Sequence, residues 1–87
     1  MYAVVIPVTF NDRSAARAEL DGLVPQVSGM PGFLAGYWVA LSQERGTAMV
    51  VFDTEASAQA LATVAQDARA GAVTTGSIEV GEVMARA

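Results

Sequence analysis

Trp38, Tyr37 and Asn11 are the side chains of this 87-residue chain best suited to work on a small molecule. Trp38 has Gly36 and Ala40 beside it on one face of an apolar stretch. An indole with small neighbours can line a cavity and stack on a flat aromatic substrate. It can equally fill a core or a subunit interface. Tyr37 points the other way and can donate a hydrogen bond to a substrate oxygen, or stand as a core tyrosine with its hydroxyl at the rim. Asn11 and Arg13 follow the first strand, where they can orient a carbonyl or an enolate at a pocket mouth. Helix capping and surface solvation also account for them. Glu79 and Glu82 make an acid–base pair only if one cleft holds both, which strict strand alternation forbids and a bulge at Gly81 would allow. Met30, Met49 and Met84 can form a deformable pocket wall or fill the core.

What is missing narrows the chemistry further. The chain has no cysteine and no histidine, and its five basic residues are all arginine. Thiol catalysis, imidazole acid–base chemistry and a structural zinc site therefore drop out. No Asp/Glu group has the loop spacing of a hard-cation site, so neither a metal nor another cofactor is expected. The net charge of −4 weighs against nucleic acid and anionic membrane as partners. The arginines are scattered along the chain and form no patch in sequence. The apolar N-terminus lacks a basic leader region and reads as a strand. No apolar run reaches the ~18 residues of a membrane span, and the expected location is cytoplasmic.

These residues have to be carried by a small set of elements. Residues 2–10 alternate as a strand, with Tyr2, Val4, Ile6, Val8 and Phe10 on one face. Pro7 has no N–H to donate, so its amide should face a bulge or no partner. Asn11 to Ser14 offer helix caps, and Ala16, Leu20, Leu23, Val24 and Val27 recur at helical spacing. Gly22 weakens this helix, and Pro25 should end or bend it early. A loop at 28–32 leads to a strand over 33–42, a polar turn with Gly46 in it, and a strand over 47–52. Asp53 or Thr54 caps a second helix to about Ala70, with Leu61, Val64, Ala65 and Ala68 inward. Residues 77–84 form the last strand. The order β-α-β-β-α-β is the split ferredoxin-like motif: an α+β fold with a four-stranded antiparallel sheet in the order 4-1-3-2 and both helices on one face. A single domain over 1–87 is expected.

The strand at 33–42 has two apolar faces. Phe33, Ala35, Tyr37, Val39 and Leu41 alternate with Leu34, Gly36, Trp38 and Ala40. With helices on one side only, about ten apolar side chains stay uncovered, each large one contributing roughly 1.5–3 kcal/mol on burial. A symmetric homodimer, sheet against sheet, would cover them.

Pro31-Gly32-Phe33, a strand, a short polar turn, a strand ending Val51-Phe52-Asp53-Thr54-Glu55-Ala56 and an alanine-rich helix together resemble the antibiotic-biosynthesis-monooxygenase-like members of the dimeric α/β-barrel superfamily. The topology covers nearly the whole chain and the motif about residues 31–62. The resemblance implies a homodimer with a pocket between sheet and helices. In relatives such pockets admit polyketide anthrones, quinols or haem, often oxidised by O₂ without metal or flavin. Members that use histidine have no counterpart for it here, and no catalytic residue is carried over. The function expected is a cofactor-independent monooxygenase-like protein acting on or binding a small aromatic of phenol, quinol or anthrone type. The alternative is a non-catalytic homodimeric small-ligand-binding or accessory protein of the same fold.

Overall fold

Tyr2–Phe10 (β1) runs through the middle of the sheet, as its apolar faces require. The structure, a computed structural model, describes residues 1–67 and 71–87. Arg45–Phe52 (β3) pairs antiparallel with β1, from Tyr2 opposite Phe52 to Thr9 opposite Arg45. Phe33–Ala40 (β2) lies outside β3. The other side of β1 takes Val73–Thr75 (β4) and then Glu79–Glu82 (β5). The order β2-β3-β1-β4, with β5 also on β1, is the ferredoxin-like α+β arrangement.

The expected last strand, 77–84, is present as β5, and a further short strand, β4, forms before it in the segment expected to be a link. The gap between the two falls at Gly76–Ile78, away from Gly81. Val8 faces Thr75 and Val5 faces Glu79, so three steps along β1 match four from β4 to β5. The extra residue sits opposite Pro7. The Pro7 carbonyl accepts from the Gly76 N–H at 2.8 Å, so the same edge of β1 that lacks an N–H is where the ladder is interrupted. Pairing through Gly81 is regular. Glu79 and Glu82 therefore stay on opposite faces and form no acid–base pair.

Two further differences come from side-chain packing. A bulge between Phe33 and Ala35 turns Phe33 from Tyr37's face to the helix side. There its ring meets Phe52 edge-on, with centroids 6.2 Å apart. Gly46 lies inside β3 and is buried, whereas the turn is made by residues 41–44. The Ser42 hydroxyl holds that turn, accepting from the Arg45 N–H at 3.1 Å and the Glu44 N–H at 3.3 Å.

Arg13–Ser28 (α1) starts at Asp12, whose carboxylate accepts from the Ala15 N–H at 3.0 Å. It runs through Pro25 for another turn, contrary to expectation. Pro25 is exposed, as is Asp21 one turn earlier, whose carbonyl it cannot bond, and Gly29 closes the helix on the Pro25 carbonyl at 3.1 Å. Glu55–Asp67 (α2) is capped by Thr54, which accepts from the Ser57 N–H at 3.2 Å. The expected extension to Ala70, with Ala68 inward, lies outside the described residues. Among the described residues no helix is long and apolar enough to cross a membrane.

Both helices cover the face carrying Val4, Val50 and Phe52, but unequally. α2 buries Ala58, Leu61 and Ala62, and its two alanines let it close on the sheet. α1 buries only Ala16 and Val27, leaving Leu23 43% exposed.

Gly32 joins α1 to β2 at φ +82°, where a Cβ would run into the carboxylate of Asp53 and the hydroxyl of Ser57. Gly32→Ala is expected to destabilise the fold by about 1–3 kcal/mol. Gly22, on α1, has open space around it, and Gly22→Ala is expected to stabilise by about 0.5–1 kcal/mol. Thermal unfolding checks both, since each kcal/mol shifts Tm by roughly 4–8 °C in a domain of this size.

Candidate functional site

The unequal seating of the helices leaves an open cleft of about 1060 Å³ between α1, α2 and the sheet. Its floor is the helix side of the sheet: Ile6, Val8 and Phe10 of β1, Trp38 of β2, and Ala48 and Val50 of β3. Leu20, Leu23 and Met30 line it from the first helix and the loop after it, Leu61 and Val64 from the second. Val64, expected in the core, is 61% exposed because it faces this space. Small-molecule sites commonly enclose about 300–1,000 Å³, so the cleft has room for a ligand of several fused rings.

Two aromatic rings reach across the floor because glycines make room for them. A Cβ on Gly36 would meet the Trp38 indole at 2.8 Å, and one on Gly46 would meet the Phe10 ring at 2.6 Å. Each ring is pressed onto backbone that only glycine leaves bare. Of the polar lining residues, Arg13, Ser14, Arg17, Glu19, Gln26, Gln43 and Thr75 are exposed and Thr47 is half-buried. Among the described residues no polar or charged side chain is buried, and no group of acidic, histidine or cysteine side chains could hold a metal ion.

Comparison with known proteins places this geometry in a fold. No family model matches the chain, and no curated protein matches it in sequence. Among solved structures, a protein of unknown function from Nitrosomonas europaea is similar at TM-score 0.70 and 18% identity, over 99% of this chain and 91% of that one. The haem degrader MhuD from Mycobacterium tuberculosis, with two haems in its active site, is similar at TM-score 0.56 and 23% identity, over 97% and 98%. SnoaB, a cofactor-independent oxygenase from Streptomyces nogalater, is similar at TM-score 0.63 and 13% identity, over 98% and 94%. The chain shares its ferredoxin-like α+β fold with these proteins.

The candidate residues named from sequence fall in three places. Trp38 is half-buried on the cleft floor, with Gly36 and Ala40 on its face. Tyr37 is on the other face of the sheet, opposite Met49 and 63% exposed. Asn11 lies at the end of β1, outside the cleft lining. Its amide donates to the Gly71 carbonyl and to the Thr74 hydroxyl, both at 3.2 Å, tying β1 to the segment entering β4. The three methionines do not share a wall: Met30 lines the cleft, Met49 is on the opposite face and Met84 is 96% exposed. Arg17 went unnoticed as a cleft residue. Its spacing of four from Arg13 and three from Leu20 is the signal that puts all three on one helix face.

Because Trp38 is the sole tryptophan, its emission reports directly on the floor. Gly36→Ala is expected to lift the indole and shift emission to the red. Gly81→Ala, where a Cβ meets nothing within 4 Å, is expected to leave the spectrum unchanged.

Proposed function

We propose that this protein binds a small aromatic molecule of phenol, quinol or anthrone type in the helix–sheet cleft, as a cofactor-independent monooxygenase-like protein. The carrying observation is an apolar cleft of about 1060 Å³ with Trp38 on its floor, its indole reaching over Gly36. Sharing a fold with SnoaB and MhuD supports the reading, since one is a cofactor-independent oxygenase and the other a haem degrader. Haem itself would find no histidine here to ligate its iron.

In this reading Trp38 stacks on the ring system and the walls from both helices exclude water, so a bound substrate anion is held desolvated for O₂. An activated methylene between aromatic rings needs no external reductant. One oxygen atom of O₂ becomes the new carbonyl oxygen, and the other leaves as water with the two methylene hydrogens. Asn11 acts from outside, holding the β4 side of the cleft to the end of β1. A non-catalytic ligand-binding or accessory role is the second reading. It is favoured by the absence of a buried charged side chain among the described residues.

The assembly proposed is a homodimer through the uncovered sheet face. Tyr37, Val39 and Met49 stand there 63%, 45% and 46% exposed, a contiguous apolar patch across β2 and β3. A second copy would cover it and give Tyr37 its place at the interface.

Titration with an anthrone, monitored by Trp38 fluorescence and O₂ uptake, tests the function. Saturable quenching with uptake supports oxygenation, quenching alone supports binding without turnover, and neither sinks both readings. Trp38→Ala is expected to weaken ligand binding by roughly tenfold in calorimetry. Tyr37→Arg combined with Met49→Glu is expected to sediment as a folded monomer while the unmodified chain sediments as a dimer.

A further inference from the structure

The folded chain, otherwise acidic, collects positive charge at one end of its cleft lining. Net charge is −4, yet Arg13 and Arg17 both line the cleft and Glu19 is the one carboxylate lining residue among those described. The two arginines are one helical turn apart on α1, so their side chains leave the same face toward the same space. The Arg13 guanidinium sits 6.0 Å from the centroid of the Phe10 ring, which itself crosses Gly46 on the cleft floor. That contact draws the cation over the floor. Among the described residues neither guanidinium is in an ion pair, so both keep their donors for something else. The interior beyond them is apolar.

We infer that the cleft is specific for an aromatic carboxylic acid: a flat ring system laid against Trp38, with its carboxylate held at the mouth by Arg13 and Arg17. The inference rests on the ligand-binding reading above and names the substrate class within it. Guanidinium suits this task because its planar fork matches a carboxylate and stays charged at any working pH. Neutral aromatics can enter the same space, but they leave the arginines to water. The arginines fix which end of the ligand faces out, and the ring system is thereby directed inward.

Two ligands of one shape separate charge from fit: anthracene-9-carboxylate and anthracene-9-carboxamide, titrated calorimetrically into the full chain. The acid is expected to bind roughly tenfold tighter than the amide. That preference is expected to shrink as salt rises from about 50 mM to 500 mM. In Arg13→Gln/Arg17→Gln both ligands are expected to bind alike, at the level the amide shows with the unmodified protein. Both positions are exposed, and the acid–amide comparison on the unmodified chain stands without the variant. Equal binding of acid and amide by the unmodified protein overturns the inference and leaves the aromatic cleft intact. A double variant that keeps the acid preference overturns it too. Failure of both ligands to bind overturns the inference and the ligand-binding reading together.

Discussion

The contact of α2's small residues with the sheet sets the rest of the molecule. Ala58 and Ala62 lie against a core of Val4, Val50 and Phe52 and add almost no bulk between the helix and the strands. α2 is therefore seated closely, anchored further by Leu61. α1 carries Leu20, Leu23 and Val24 in the corresponding rows and seats only through Ala16 and Val27. The difference in seating is the cleft. A protein of this length has little core to spare, and holding open such a volume means that its stability rests on a small packed wedge at one end of the sheet.

Glycine and aromatic residues share the work of shaping that cleft. Gly36 under Trp38 and Gly46 under Phe10 are strand glycines, normally weak points in a ladder. Here each exchanges strand propensity for a ring reaching over bare backbone. Upright rings would project into the cleft and fill it. Drawn over the glycines, they leave an aromatic floor on which another ring can stack. The guanidinium of Arg13 over Phe10 adds a charged edge to that floor. Shape and charge in the cleft thus both depend on residues without side chains.

The two faces of the sheet have different fates for one reason. On the helix side, β1, β2 and β3 supply the core and the cleft floor. On the other side the same strands present Val5, Tyr37, Val39 and Met49, and neither described helix covers that face. Alternation in a strand sends neighbouring residues to opposite faces, which is why Tyr37 and Trp38, adjacent in sequence, cannot share a site. The bulge at Phe33 breaks this rule once, and its product is the edge-on ring contact with Phe52 that closes the core.

Sequence alone determined the order of the first five elements, the presence of capping side chains just before each helix, the two apolar faces of β2 and the apolar company of Trp38. These are local properties, set by periodicity and by side chains reaching their own backbone a few residues away. It also carried the Pro7 constraint, though its consequence, the gap between β4 and β5, needed the neighbouring strand to be visible. Tertiary structure decided what depends on residues distant in the chain. Gly46 left the turn for the strand because Phe10, from another strand, needed its surface. Glu79 and Glu82 stayed apart because β1 held their register. Asn11 became a tie to Thr74, sixty-three residues away, and Arg17 became a cleft residue because α1 packs shallowly against the sheet. A single chain read in order records spacing; it does not record how far one helix stands from a sheet, and that distance made the site.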